Sequence, residues 1–163
     1  MAIALLVAFT STAQKDKSKR PSPPAQVSQT IDGTKVTIDY SQPSKRGREI
    51  FGGLEKYGKV WRTGANETSW IELSGSVEVE GKTLEAGKYG LFTIPGEDEW
   101  IIIFNKKWDG WGAYKYSQRD DVLRVTVPSS SLDEVVEQFT IEIDDAGDVT
   151  LAWDRTQVAF SIR

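Results

Sequence analysis

The segment Asn105–Asp121 (NKKWDGWGAYKYSQRDD) is where side chains of this sequence could most readily recognise a ligand. Trp108, Trp111 and Tyr114 stand among glycines and polar residues, so their rings could face solvent. Exposed aromatic rings can present flat faces on which sugar rings stack, or they can anchor contacts with another protein. The alternative is a loop that folds back so that its rings form a lid over the core.

The segment Tyr40–Thr68 is a second candidate, because it is rich in glycine, basic and aromatic residues and has little periodicity. Long irregular stretches in a compact domain are usually functional or mobile. Its residues Arg48, Trp61, Arg62 and Asn66 are of types that grip anionic or polyhydroxylated ligands through guanidinium forks, ring faces and amide groups. Alternatively, the two arginines pair with carboxylates and only hold the loop in place.

Carboxylates offer the one catalytic alternative, a glycan hydrolase. Such enzymes use two carboxyl groups, roughly 5 to 5.5 Å apart when they retain configuration and about 6.5 to 9.5 Å apart when they invert it. The candidates beside the two segments are Glu49, Glu67, Asp109 and Asp121.

Other chemistries lose their usual residues. The chain contains no His and no Cys, so Ser-His-Asp and Cys-His machinery is missing, as are the usual ligands of zinc, copper and haem. No Gly-rich phosphate loop or GxSxG elbow occurs either. We therefore expect no cofactor and no metal. Asp144, Asp145 and Asp148 could form a calcium loop, but a hairpin turn is the better interpretation.

Length and charge limit the possibilities further. The 163 residues suit one domain, and the formal net charge of -4 gives no electrostatic reason to bind nucleic acid. We expect no nucleic-acid partner. In the absence of disulfides, folding must depend on core burial alone.

Alternating apolar and polar residues predict the elements that position these segments. Val36, Ile38 and Tyr40 alternate with polar residues, as in a strand with one wet face. The same pattern recurs in 77–79, 123–127, 139–143, 149–153 and 158–162. The continuous apolar run Trp100–Phe104 predicts a central strand covered on both faces.

Turn signals separate these runs at short intervals, for example Asp32-Gly33 and Pro95-Gly96. The pattern predicts an all-β domain, an antiparallel β-sandwich of jelly-roll type, with at most one short helical turn. That turn is expected at Ser131–Val136, where Ser131 and Glu134 form a capping box.

The start of the chain differs from the rest. Residues 2–9 are apolar and are followed by small residues up to Ala13, which predicts a signal peptide over 1–13, although a basic start is missing. The run is too short for a transmembrane anchor, so none is expected in the mature chain. The charged and proline-rich stretch 14–24 predicts a flexible spacer before a single domain at 25–163.

Several long motifs resemble one family. RGREIFGGLEKYGKVWRTGANET, LEAGKYGLFTIPG, DEWIIIFNKKWDGWGAY and DVLRV are similar to the secreted bacterial family known as domain of unknown function 2911, over about residues 20–163. The resemblance implies an exported protein of the Bacteroidetes group and brings no catalytic residues. Its motif positions include Arg48, Trp61, Arg62, Asn66 and Asn105, together with Tyr114.

The favoured hypothesis is a periplasmic or secreted, non-catalytic module whose partner is a glycan or an envelope protein. The two segments would converge at one end of the sandwich and supply the ligand-binding residues Arg48, Trp61, Arg62, Asn66, Asn105, Trp108, Trp111 and Tyr114. The alternatives are the hydrolase described above and a purely structural envelope protein with buried aromatic residues.

Overall fold

The computed structural model describes residues 16–163, and the predicted signal peptide lies outside them. Apart from two 3-10 turns, Lys17–Lys19 and Gln118–Asp120, the regular structure is all strand. The strands are β1 Pro24–Ile31, β2 Thr34–Ser41, β3 Trp70–Leu73, β4 Val77–Val79, β5 Lys82–Leu84, β6 Gly87–Ile94, β7 Glu99–Asn105, β8 Asp121–Ile143 and β9 Asp148–Ser161. The predicted all-β class is confirmed.

Seven strands form one antiparallel sheet in the order β1-β2-β3-β6-β7-β8-β9, and β4 and β5 form a separate ribbon. The ribbon joins the end of β9 through a bridge between Val79 and Ile162. This bridge connects the ribbon to the seven-stranded sheet. The strand order does not confirm the sandwich or jelly-roll detail of the prediction.

The alternating positions face inward as predicted. Val36, Ile38, Ile141, Leu151 and Phe160 are all buried in one core cluster. Strand β7 lies between β6 and β8, as expected for its continuous apolar run. Burying these side chains supplies the main stabilising free energy of a chain without disulfides.

The sheet curls until its two ends meet. Beyond β2, the Lys45 amide donates to the Glu137 carbonyl at 2.7 Å, and the Phe139 amide donates to the Pro43 carbonyl at 2.9 Å. The Tyr40 hydroxyl accepts a hydrogen bond of 2.9 Å from the Ile141 amide. Hydrogen bonds thus link β2 and the chain that follows it to the far end of β8. The surface of the sheet that faces away from the core is called the outer face below.

The predicted helical turn at Ser131–Val136 is wrong, because this stretch belongs to β8. Ser131 pairs with Thr156 of β9, and the register shifts between Ser131 and Val136. A capping box contributes only about 1 kcal/mol, and one turn of helix is unstable alone. The strand pairing on both sides of the stretch therefore decides its conformation.

The aspartates after β8 form a hairpin turn, as predicted. The Asp144 amide donates to the Asp148 carbonyl at 3.1 Å, and the Asp144 side chain accepts from the Asp148 amide at 2.8 Å. The other two carboxylates have separate partners, since Asp145 binds Gln29 and Asp148 binds Arg163. Among residues 16–163, no helix is long and apolar enough to cross a membrane.

Candidate functional site

The connection between β7 and β8 folds back across the outer face of the sheet. Residues 106–117 of this connection are called the covering segment. Phe92 and Ile103 are fully buried but point away from the core cluster, and the Phe92 ring packs edge-on to Tyr116 with centroids 5.0 Å apart. Gly90 permits this approach, because a β-carbon there would collide with the Lys107 carbonyl oxygen.

Asn105 and Asp121 fix the two ends of the covering segment. The Asn105 amide group donates to Asp121 Oδ1 at 2.7 Å and to the Ser117 carbonyl at 3.0 Å, and its Oδ1 accepts from the Lys107 amide at 2.8 Å. Asn105 is fully buried. It therefore positions the segment and offers no group to a ligand at the surface.

The two candidate segments meet on the outer face of the sheet, whereas the sequence predicted that they would meet at one end of a sandwich. The Thr68 amide donates to the Gly110 carbonyl, and the Gly112 amide donates to the Asn66 carbonyl, both at 2.9 Å. The Thr68 hydroxyl donates to the Gly112 carbonyl at 2.7 Å. The covering segment is thus attached along its length to residues 66–68.

Three rings of the covering segment stay at the surface. Trp108 is 39% exposed, Trp111 53% and Tyr114 88%. They do not form the lid over the core that the alternative required. The ring that faces inward is Tyr116, whose hydroxyl donates to Asp121 and accepts from Arg124.

Trp108 lies beside Trp70 of β3, and Lys88 of β6 lies against both rings. The Lys88 ammonium is 3.5 Å from the centroid of Trp70 and 4.2 Å from that of Trp108. A cation over an indole face stabilises the pair by about 0.5 to 1 kcal/mol at an exposed site. We define Trp70, Trp108, Trp111 and Tyr114 together as the aromatic surface.

Arg20 and Glu67 border Trp111. The Arg20 guanidinium lies 5.9 Å from the centroid of the Trp111 ring and donates to both oxygens of Glu67. Lys17 forms an ion pair of 3.0 Å with the same carboxylate. Burial raises the pKa of Glu67, but the hydrogen bonds from Arg20, its own amide and Lys17 outweigh this and lower the pKa to about 2.

Besides Asn105, three predicted site residues make hydrogen bonds within the protein. Trp61 is buried, packs against Trp153 with centroids 5.8 Å apart, and donates to the Gly64 carbonyl. Arg48 is exposed and donates to the backbone carbonyls of Ser44 and Lys45 in its own loop, and not to the carboxylate that the alternative interpretation expected.

Asn66 is the third of these residues. It has a left-handed backbone with φ of 60° and donates to the Ser22 carbonyl at 3.0 Å. This bond ties residues 16–23, from the predicted spacer, to the domain. The Gln42 amide adds a second tie by donating to the Pro23 carbonyl at 2.9 Å.

Arg62 differs from these residues. Its neighbour Trp61 points into the core and pairs with Thr93 of β6, so Arg62 projects toward the covering segment. Its Nε atom is buried and has no hydrogen-bond partner within residues 16–163. Unpartnered buried polar atoms are rare in folded proteins, so this guanidinium is the least satisfied charged group near the aromatic surface.

Three of the four carboxylates proposed for hydrolysis contact cationic or hydrogen-bonding groups, and the fourth, Glu49, is exposed. Glu67, with a pKa of about 2, stays ionised near neutrality and cannot serve as a general acid there. Asp121 accepts from Asn105, Tyr116 and Arg124. Asp109 lies 3.8 Å from Lys115. In the described part of the chain, no cluster of three or more acidic side chains is arranged to hold a metal ion.

Trp70, Lys88 and Arg20 were not among the predicted site residues. Trp70 had a usable signal, because Ile71 and Leu73 are buried and alternation then places Trp70 on the outer face. No sequence signal marked Lys88 or Arg20, because Lys88 contacts Trp108 and Arg20 contacts Trp111, which are far from them in the sequence.

Together, the fold and this site define an all-β domain with an aromatic surface on the outer face of a curled sheet. Residues 22–162 match the family described as "Protein of unknown function (DUF2911)", and the chain belongs to that family. The resemblance inferred from its motifs is confirmed. No curated protein and no solved structure matches the chain.

Proposed function

We propose that this domain is a non-catalytic binding module for a glycan, with the aromatic surface as its binding site. The observation that carries the proposal is the exposure of Trp108, Trp111 and Tyr114 on a segment that hydrogen bonds hold in place. Exposed aromatic rings on a fixed backbone lose little conformational entropy on binding. Sugar rings present C–H faces that stack on such rings.

The polar groups around the rings suit a polyhydroxylated ligand. The outer face carries Gln26, Asp39 and Lys88 beside Trp70, and they lie on strands that pair directly. Amide, carboxylate and ammonium groups can donate to or accept from sugar hydroxyls. An extracytoplasmic location, with an envelope or environmental polysaccharide as ligand, follows from the signal peptide predicted over residues 1–13.

A glycan array followed by titration calorimetry tests the proposal. We expect Trp108→Ala and Trp111→Ala each to weaken binding about five- to hundredfold, by analogy with nucleobases, whose stacking on an aromatic side chain is worth about 1 to 3 kcal/mol per ring. Their thermal stability should change little, since both rings are partly exposed.

Tyr57→Ala is the matched control. Tyr57 is 41% exposed, similar to Trp108, but it lies next to Gly58, whose amide bonds Pro95 beyond the end of β6. The control should bind as the wild type does. Absence of binding across cell-wall and plant polysaccharides would overturn the proposal, as would a protein partner whose binding requires the same tryptophans.

A further inference from the structure

Arg62 carries a positive charge that no carboxylate of the described chain neutralises by direct contact. The ion pairs within residues 16–163 involve other arginines and lysines. Glu55 is close enough for the attraction of Arg62 to act on it, but burial dominates and raises the pKa of Glu55. Arginine remains protonated in proteins, so its buried Nε needs an acceptor.

Arg62 and Tyr114 both pack against Gly112. A β-carbon on Gly112 would lie 3.3 Å from Arg62 Nη1 and 3.4 Å from the Tyr114 ring. The guanidinium and the most exposed ring of the aromatic surface therefore border the same small volume. Gly112 has a φ of 59°, a conformation in which other residues are strained.

We propose that Arg62 and Tyr114 form an anion-recognition subsite, and that the ligand is an acidic glycan whose sugars carry carboxylate or sulfate groups. The inference rests on the proposed glycan-binding function. A guanidinium fork binds carboxylate or sulfate through two parallel hydrogen bonds, while the adjacent ring supports the sugar that carries the anion. The net charge of -4 makes general attraction of polyanions weak, so a preference for acidic glycans would report a local group.

Binding to polygalacturonate, to its methyl-esterified form and to dextran sulfate tests the subsite. The esterified polymer has the same backbone without the charge. We expect the wild type to bind polygalacturonate at least tenfold more tightly than its esterified form, or dextran sulfate at least tenfold more tightly than uncharged dextran, and the pair that shows the preference identifies the anion.

Arg62→Met should abolish this preference, and Arg62→Lys should restore little of it, because an ammonium lacks the fork. Arg62→Met should also melt at or above the wild-type temperature, since it removes a buried Nε that has no hydrogen-bond partner within residues 16–163. A structural role for Arg62 would lower the melting temperature instead. Tyr114→Ala should weaken binding of both polymers without affecting the fold, because its side chain is 88% exposed.

Arg119→Gln removes an exposed charge from the same connection and is the charge-matched control. The subsite would be overturned if charged and esterified polymers bound equally, or if the preference for the charged polymer survived Arg62→Met. Equal losses of that preference in Arg62→Met and Arg119→Gln would also overturn it. If the charged and the esterified polymer bind equally and Trp111→Ala abolishes the binding of both, the anion subsite is wrong but the proposed glycan binding stands. If no glycan binds at all, the proposed function fails with it.

Discussion

At the scale of residues, side chains of the same type have different roles because of the contacts that the fold gives them. Trp61 and Trp111 both lie in irregular segments, but Trp61 packs in the core while Trp111 remains 53% exposed. Arg48 and Arg62 differ in the same way, since Arg48 donates to two carbonyls and Arg62 Nε has no partner within residues 16–163. Residue type could nominate all four positions, but it could not show which of these side chains find partners within the protein.

Glu67 gives a prediction about pH at this scale. Its pKa in the folded protein is about 2, below the ordinary 4.5, so its ion pairs stabilise the fold above about pH 4.5 and lose this effect as pH falls toward 2. Because the side chain is 40% exposed, we expect at most about 1 kcal/mol. Urea unfolding of the wild type and Glu67→Gln should differ most near pH 6 and converge near pH 2.

Asp109→Asn is the control for this titration. Asp109 is 60% exposed and its nearest cation, Lys115, is 3.8 Å away, so this variant should track the wild type at every pH. A stability gap in Glu67→Gln that stays constant from pH 6 to pH 2 would show that the carboxylate charge is not responsible.

At the scale of elements, alternation predicted β2, β4, β8 and β9, because each has one face in the core, but it did not single out β1, β3, β5 or β6. The β1–β2 turn was also predictable, since Asp32 and Gly33 have the positive φ values of 47° and 83° that a tight hairpin needs. Ser131–Val136 was mispredicted because its local signal is helical and its pairing with β9 is not local. The covering segment could be nominated, but its position over Phe92 depends on Gly90 and Asn105, which no local pattern reveals.

Asn105→Ala tests what holds the covering segment. The substitution removes three hydrogen bonds and leaves buried partners unsatisfied, so we expect a loss of about 2 kcal/mol in unfolding free energy. Faster hydrogen exchange should appear at the Thr68 and Gly112 amides, which join the segment to residues 66–68. Lys106→Ala, at an exposed neighbouring position, should leave both rates unchanged. Unchanged exchange in Asn105→Ala would mean that residues 66–68 alone position the segment.

At the scale of the whole molecule, the curl of the sheet creates both the enclosed core and the outer face. Strand β8 is 23 residues long, so one end pairs with β7 and the other reaches the chain that follows β2. Short strands of even spacing predicted the antiparallel all-β class, but not this length. The contacts that join the far end of β8 to β2 link residues about 100 positions apart, such as Tyr40 and Ile141, and sequence periodicity carries no information about them.

Tyr40→Phe tests whether this long-range contact closes the sheet. The Tyr40 ring packs edge-on to Phe139, and its hydroxyl is the acceptor for the Ile141 amide. Phenylalanine keeps the ring packing but leaves that buried amide unpaired, so urea unfolding should show a loss of about 1 to 3 kcal/mol. Tyr89→Phe is the matched control, because the Tyr89 hydroxyl donates only to the nearby Glu85 carbonyl and its loss should cost less than 1 kcal/mol. Equal losses in the two variants would mean that the apolar core holds the curled sheet closed without this hydrogen bond, since the ring contact with Phe139 is retained in Tyr40→Phe.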